Sequence, residues 1–337
     1  MSARRACWPL QALRHRTGDE RIRQNLKSAY RPVPKSARGP RAKPQATWKA
    51  IRRVALPGRT KLVALTFDLC EQPHEISGYQ GTIVDFLRRE NVAATFFAGG
   101  KWMLTHPERA QQLMADPLFE IGNHAWEHRN FRLLNARQIH DEIAHAQVAY
   151  TQVRERLVAR GCLARNGQSV RRIAPPTMTL FRFPFGACKA QALRGVQRAG
   201  LHTIQWDVSS ADPWRGMTTA KMVPHVLKRT RSGSILLFHA NGRGWHTPQS
   251  LPLIVTALKK RGYRFATVTD LLAQRGARPV LADTCFDARP GDSERYDDVS
   301  ARLHAKYERF YARFGFRPSA GNGDSVPARE QPWERSR

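Results

Sequence analysis

Two hydrophobic patterns alternate along the middle of the chain. Short runs rich in β-branched and aromatic residues indicate strands, which we place at Lys61–Phe67, Ala93–Ala98, Phe119–Asn123, Leu180–Pro184, Thr203–Val208, Ser234–His239 and Arg264–Val268. Apolar residues three and four positions apart indicate amphipathic helices between them, at Gly81–Glu90, Pro107–Ala115, Ala136–Arg160, Lys189–Gly200, Thr219–Thr230 and Pro248–Gly262. Such alternation predicts an α/β barrel of about seven parallel strands joined by crossover helices. An open doubly wound sheet is the alternative, because periodicity does not reveal whether a sheet closes.

Both ends of the chain depart from this alternation. We place the α/β domain at residues 49–277, after a basic arm at 1–48 and before an extension at 278–337. The first 60 residues hold 16 Lys and Arg against two acids, which is about half of the net charge of +29. Because Pro and Arg dominate the arm, we expect it to be disordered. Its charge suits contact with an anionic polymer or a membrane surface.

The C-terminal extension contains one apolar and aromatic face at helical spacing. Its members are Val299, Leu303, Tyr307, Tyr311 and Phe314. We expect this helix to pack back on the domain, with binding of a partner as the alternative. The final residues, 321–337, are expected to be disordered.

Composition narrows the class of protein but not its compartment. No run of residues approaches the about 20 apolar positions that a membrane-spanning helix needs, and the first residues show no clear signal peptide. Five cysteines without CxxC spacing exclude a small fold stapled by disulfides. The sequence is that of a globular domain with appendages.

Polar residues with catalytic potential stand at the carboxyl ends of the predicted strands. Active sites of parallel α/β folds are assembled at that edge. The residues concerned are Asp68, His124, His128, Arg182, Asp212 and His239. Since the same coincidence recurs for five separate stretches, we expect these side chains to meet in one hydrolytic site.

Each of these residues also has an ordinary structural interpretation. Asp68 either caps a helix or does chemistry, because a carboxylate after a buried strand must be paired. His124 and His128 are spaced to face one side of a helical turn, where they either hold a metal ion or make hydrogen bonds. Arg182 either fixes a catalytic carboxylate or forms a structural ion pair. His239 ends an apolar strand, a good position for a general acid.

Taken in order, the five stretches resemble the polysaccharide deacetylases, the NodB-homology carbohydrate esterases. They read TFDLCE from Thr66, NHAWEH from Asn123, FRFPFG from Phe181, WDVSSADPW from Trp206 and LLFH from Leu236. The resemblance covers roughly residues 61–272. It implies a distorted (β/α) barrel that removes acetyl groups, N-acetyl above all, from a carbohydrate, with a divalent metal, commonly zinc.

The resemblance also implies a role for each matching residue. Asp68 would be the catalytic base that takes a proton from the attacking water, and Arg182 would orient it. His239 would be the general acid, tuned by Asp212. His124 and His128 would be metal ligands. Trp214 would line the substrate groove and Leu237 would flank the acetyl methyl group, and we expect Phe185 of the third stretch to contact substrate as well. Trp245 is a separate expectation. The glycines of residues 241–246 suggest a loop over the site in which Trp245 stacks on sugar, with a mobile loop that makes no substrate contact as the alternative.

One departure from the family pattern concerns the metal. The family usually has a second aspartate, a metal ligand, where this chain has the apolar Leu69. We expect Glu71 to supply the third ligand; Cys70 is the other candidate, and a site with two histidines or no metal stays open. A further hypothesis pairs Cys70 with Cys188 in a disulfide at the mouth of the site, which would require an oxidising compartment. The resemblance itself suggests the periplasm, the cell envelope or secretion.

Two other functions compete with deacetylation of a glycan. The same barrel could hydrolyse a non-glycan amide, even without metal, and the loss of the second aspartate favours this reading. Alternatively, the chain could be a non-catalytic protein that binds glycan or nucleic acid through its basic arm. A classical glycosidase would leave the histidine pair unexplained.

Overall fold

A computed structural model describes residues 3–24, 31–33, 45–163 and 170–314. Its strands are β1 Arg23–Gln24, β2 Ala50–Ala55, β3 Leu62–Leu69, β4 Glu75–Ile76, β5 Ala94–Ala98, β6 Phe119–Asn123, β7 Leu180–Phe181, β8 His202–Thr203, β9 Val208–Ser209, β10 Ile235–His239, β11 Arg264–Phe265 and β12 Arg278–Ala282. Its helices are α1 Ala3–Cys7, α2 Leu10–Leu13, α3 Gly81–Arg89, α4 Gly100–Thr105, α5 Pro107–Met114, α6 Ala136–Ala159, α7 Val170–Ile173, α8 Ala190–Arg198, α9 Thr219–Arg229, α10 Thr247–Lys260, α11 Val268–Leu272 and α12 Asp297–Phe314. Short 3₁₀ turns occupy Pro184–Gly186 and Asp292–Tyr296.

The central sheet is parallel and curves into part of a barrel. Its strand order is β8-β7-β6-β5-β3-β10-β9, and β11 pairs with the start of β3. Every residue of β3 is buried, as expected for a parallel strand covered on both faces. The predicted α/β barrel is confirmed, and the carboxyl ends of its strands lie at one edge.

The strand predicted at Thr203–Val208 is broken in the middle. Backbone pairing is limited to β8 and β9, and Ile204 between them bridges Ile51 of β2. Gln205 donates its backbone N–H to the Ile51 carbonyl at 2.8 Å. The ribbon that β2 forms with β12 therefore covers the gap between the two short strands, a contact that sequence periodicity could not reveal.

The expectation of a disordered arm does not hold for residues 3–24. Trp8 and Leu13 are 4% and 5% exposed and belong to the main hydrophobic core. A disulfide joins Cys7 to Cys162, and β1 pairs antiparallel with β4. Two buried apolar side chains and a cross-link anchor this segment, although most of its residues are polar or basic. Most of the remaining arm, residues 25–30 and 34–44, lies outside the described residues, and the boundaries of the three segments stay a prediction.

The helix of the C-terminal extension, α12, packs back on the domain, as predicted. Tyr307 and Tyr311 of α12 are buried, whereas Val299 and Phe314 of the same predicted face remain partly exposed. The predicted disordered tail at 321–337 lies outside the described residues. Within the part of the chain that the structure describes, no helix has the length and apolar character to cross a membrane.

The predicted Cys70–Cys188 disulfide is wrong. Cys188 is bonded to Cys285, and Cys70 is a free, buried thiol. The hypothesis assumed that the ends of β3 and β7 are neighbours, but β5 and β6 separate them in the sheet. The extension brings Cys285 to Cys188 instead.

Candidate active site

Asp68 and His239 face each other across two neighbouring strands. They are directly paired in the parallel register of β3 and β10, one residue from the end of β3 and at the last residue of β10. Neighbouring strands lie about 4.8 Å apart, so the two side chains can reach opposite sides of one small group. This is the edge where the sequence predicted a site.

Arg182 fixes the Asp68 carboxylate from across the barrel. Its Nη1 donates to Asp68 Oδ1 at 2.9 Å and to Thr66 Oγ1 at 2.8 Å. The guanidinium is fully buried and lies 4.0 Å from the centre of the Phe97 ring. Burial opposes the charge on Asp68, but the Arg182 guanidinium, through its charge and its hydrogen bond, helps to hold the pKa of Asp68 below its ordinary value. Asp68 is therefore ionised at neutral pH.

Asp212 orients His239. Its Oδ1 lies 2.8 Å from His239 Nδ1, and its Oδ2 accepts the His239 backbone N–H at 2.8 Å and the Thr247 hydroxyl at 2.6 Å. Burial opposes protonation of His239, but the Asp212 carboxylate raises the pKa of His239 above its ordinary value. With Nδ1–H donated to Asp212, Nε2 is left to hold the proton that a general acid delivers. Gly244 lies so close that a Cβ there would be 2.9 Å from Asp212 Oδ2.

His124 and His128 meet, although not on a helical turn as predicted. They belong to a loop that is neither helix nor strand, in which Ala125 and His128 adopt φ values of 66° and 59°. The two ring centres are 5.1 Å apart. Burial lowers the pKa of both imidazoles, so both are neutral, which is the form that binds a metal ion.

The third member of this group is Cys70. Ligand atoms of Cys70, His124 and His128 lie within 4.8 Å of one another, and they form the one such group of three among the described residues. His124 Nδ1 is 2.9 Å from the Arg182 carbonyl, which can only accept a hydrogen. Nδ1 therefore carries the proton, and His124 Nε2 is left buried without a hydrogen-bond partner. An unpaired imidazole nitrogen, a second one and a thiol are a donor set that fits zinc.

Glu71 is not brought to the histidines. Its Oε1 accepts from Thr105 Oγ1 at 2.8 Å and lies 3.4 Å from Lys101 Nζ. Its Oε2 accepts the backbone N–H of Ser77 at 3.0 Å. Both oxygens are thus engaged in holding the loop after β3.

The four predicted substrate-contacting residues differ in accessibility. Trp214 is 59% exposed, and Trp245 is half-buried with the Arg215 guanidinium 3.8 Å from the centre of its ring. Phe185 packs edge-on against His128, with ring centres 4.4 Å apart. Leu237 is 6% exposed, within β10. Trp214 offers open aromatic surface two residues from Asp212. Trp245 lies beside the same residue, because its backbone N–H donates to the Asp212 carbonyl at 3.3 Å.

Two residues that support the site, Glu142 and Asn241, were not predicted from the sequence. Glu142 of α6 accepts the backbone N–H groups of Trp126 and Glu127 at 3.0 and 3.1 Å. Asn241 donates from Nδ2 to the carbonyl and the sulfur of Cys70 at 2.8 and 3.0 Å. Neither residue belongs to a recognisable motif. Glu142 lies within a helix where a polar residue normally signals exposure, so the sequence offered no sign of its role.

Comparison with known proteins finds similar sequences and a similar fold. The polysaccharide deacetylase family model matches residues 55–204. A peptidoglycan-N-acetylglucosamine deacetylase of Bacillus cereus is 29% identical over 221 residues, which is 64% of this chain and 91% of that protein. The peptidoglycan-N-acetylmuramic acid deacetylase PdaA of Bacillus subtilis is 27% identical over 226 residues, or 65% of this chain and 74% of that protein.

A solved structure with the same fold comes from a CE4 family pseudoenzyme of Bacillus anthracis. It superposes with a TM-score of 0.51 at 22% identity, covering 64% of this chain and 66% of that one. At this identity the likeness concerns the fold alone.

Proposed function

We propose that the chain, whose residues 55–204 match the polysaccharide deacetylase family model, hydrolyses acetyl groups, N-acetyl in particular, from a glycan, with Asp68 as base and His239 as acid. The observation that carries this proposal is the opposed pair of dyads. Asp68 lies on β3 and forms an ion pair with Arg182. His239 lies on the neighbouring strand β10 and is hydrogen-bonded to Asp212. Arg182 favours the ionised carboxylate of Asp68, and Asp212 favours the protonated imidazole of His239. Amide hydrolysis needs both a base and an acid of this kind.

The chemistry follows from these protonation states. Asp68 Oδ2, which Arg182 leaves free, accepts a proton from a water molecule as the water oxygen adds to the acetyl carbonyl carbon. The C–N bond then breaks as His239 delivers a proton to the departing nitrogen, giving acetate and a free amino sugar. General acid catalysis of this kind contributes about 10²- to 10⁴-fold in rate. Before the next cycle Asp68 must release the proton it took from the water and His239 must be reprotonated, both by exchange with solvent.

We further propose that Cys70, His124 and His128 hold a divalent metal, zinc in the first place. Such an ion would supply positive charge beside the acetyl carbonyl. Cys70 takes the role expected of Glu71, because its sulfur belongs to the histidine group and the oxygens of Glu71 do not. Arg182 supports the site twice, since it binds Asp68 and its carbonyl fixes the tautomer of His124.

Acetate release from a panel of N- and O-acetylated glycans tests the function. We expect activity in the wild type, and losses of at least about 10²-fold in Asp68→Asn and His239→Ala. The control is Asp141→Asn, which changes an acid of α6 that is 18% exposed and pairs with Arg137 on the same helix. Acetate release that survives both active-site substitutions, or a wild type that releases acetate only from non-glycan amides, would overturn the proposal.

Metal content tests the ligand set separately from activity. We expect Cys70→Ala to lose zinc and Glu71→Gln to retain it. In cobalt-loaded protein, a sulfur-to-cobalt charge-transfer band should be present in the wild type and in Glu71→Gln, and absent in Cys70→Ala. If the wild type binds cobalt without this band, Cys70 is not a ligand. If Glu71→Gln alone loses metal, Glu71 is the third ligand, as the sequence predicted.

The disulfides bear on where the protein acts. Two bonds, Cys7–Cys162 and Cys188–Cys285, join distant parts of the chain, and such bonds persist in oxidising compartments. We therefore infer that the protein works in the periplasm, the cell envelope or the exterior. A net charge of +29 would favour contact with anionic envelope polymers there. Fractionation followed by thiol labelling tests this, since labelling of Cys70 alone after unfolding is expected.

A further inference from the structure

The C-terminal helix α12 lies against the histidine loop, which we define as residues 124–130. Four residues of the helix reach the loop through hydrogen bonds or ion pairs. They are Asp297, His304, Glu308 and Tyr311. Leu303 and Tyr307 of the same helix line a narrow cleft with His128 and Phe185. The helix lies outside residues 55–204, which the family model matches.

The histidine loop needs support from outside itself. Two of its residues, Ala125 and His128, have positive φ values, a conformation that is strained for residues with a Cβ and persists only when the surroundings impose it. His128 Nδ1 has no hydrogen-bond partner among the described residues. The ring of His128 is therefore placed by its backbone and by packing, not by a hydrogen bond of its own.

Glu127 is the point where this support converges. Its Oε2 accepts the Tyr311 hydroxyl at 2.8 Å, and its Oε1 accepts from Arg129 Nε at 2.7 Å. Its backbone N–H is held by Glu142. Arg129 is tied in turn to Glu308 of α12 at 2.6 Å. The residue directly before His128 is thus clamped between α6 and α12.

We propose that Tyr311 is a positioning residue for the metal site, which holds His128 in ligating geometry through Glu127. This inference rests on the proposed metal-dependent function, because it assigns to α12 the support of His128, a proposed ligand of that same ion. Helix α12 then supports the metal site from outside the histidine loop. Residues that hydrogen-bond to the surroundings of a metal ligand typically change metal affinity by about 10- to 100-fold when they are removed.

The test compares two tyrosines that have the same chemistry in different places. Tyr311→Phe removes one buried hydroxyl beside Glu127, whereas Tyr150→Phe removes one buried hydroxyl that donates to the Pro175 carbonyl at 2.8 Å. Zinc affinity is measured on the full chain by competition with a chromogenic chelator, alongside the unfolding temperature of the metal-free protein. We expect the dissociation constant to rise about 10-fold in Tyr311→Phe and to stay unchanged in Tyr150→Phe.

A purely structural role for Tyr311 would give a different result. The unfolding temperature would fall in both variants while the dissociation constant for zinc stayed at its wild-type value, and the proposal would be overturned. If Tyr311→Phe does not fold, Glu308→Ala serves instead, because it removes the carboxylate that binds Arg129 to α12, at a position where the side chain is 42% exposed. Unchanged zinc affinity in that variant would equally overturn the proposal.

The same measurements separate this inference from the proposed function. A wild type that binds zinc but releases no acetate would refute deacetylation and leave the role of Tyr311 to be decided by the affinities. A wild type that binds no zinc would overturn the inference, whatever its activity.

Discussion

Removing Arg182 should destabilise the protein far more than removing the Asp68 carboxylate it binds. Both side chains are almost completely buried, at 0% and 6% exposure. Arg182→Met leaves a carboxylate in the barrel without its main partner, and breaking a buried pair in this way costs about 3–5 kcal/mol. Asp68→Asn leaves the guanidinium its other acceptors, Thr66 and the carbonyls of Ile204 and Gln205. Its cost should stay below about 2 kcal/mol.

The assay is chemical unfolding of the metal-free protein with both disulfides intact. Because the two residues share one hydrogen bond, their effects should not add. The double variant Asp68→Asn with Arg182→Met should be more stable than the sum of the single changes predicts, by about 2 kcal/mol. Additive free energies, or a cost of under 1 kcal/mol for Arg182→Met, would refute the reasoning.

The pH dependence gives the same prediction a second test. The folded-state pKa of Asp68 lies below its ordinary value, so the pair contributes stability above the pKa of the unfolded chain, about 3.9, and loses it as the pH falls. The difference in unfolding free energy between wild type and Arg182→Met should therefore shrink below about pH 4. A difference that widens in acid would contradict the assigned role of Arg182.

Three further outcomes are expected. Asp212→Asn removes the charge that raises the pKa of His239. The alkaline limb of the pH–rate profile, where the imidazolium is lost, should therefore move to lower pH, and an unmoved limb would exclude His239 as the acid. Trp214→Ala should raise KM for oligosaccharides with little change in kcat, as for a side chain that only stacks on sugar, and equal losses in both would place it nearer the reaction. Replacing Cys188 and Cys285 together by Ala should lower the unfolding free energy by about 2–5 kcal/mol and weaken zinc binding, whereas unchanged zinc affinity would separate the extension from the metal site.

The sequence predicted the centre of the barrel well because there each local signal agrees with the global fold. The run before Asp68 is buried in β3, and the run before His239 forms β10. Polar residues at the ends of these strands stand out against an apolar background. Their meeting in space follows from the parallel arrangement alone.

The parts that could not be predicted depend on contacts between distant segments. Cys285 reaches Cys188 only because the extension folds back, and Trp8 is buried only because the first residues pack on the core. Glu71 is a good ligand by chemistry, but Thr105 and Ser77 engage its oxygens in the folded chain. Residue type indicates what a side chain can bind; the folded chain decides which partner it meets.

The free thiol between two disulfide-bonded cysteines has a consequence for how the protein is made. Cys70 lies between Cys7 and Cys162 in chain order. An oxidase that joined cysteines in the order in which they emerge would link Cys7 to Cys70 and trap the sulfur that belongs inside the barrel. Correct biogenesis therefore requires either that β3 is buried before oxidation or that an isomerase exchanges the first bond. A metal ion captured early by Cys70 would shield the thiol, so zinc supply would influence the yield of correctly bonded protein as well as its activity.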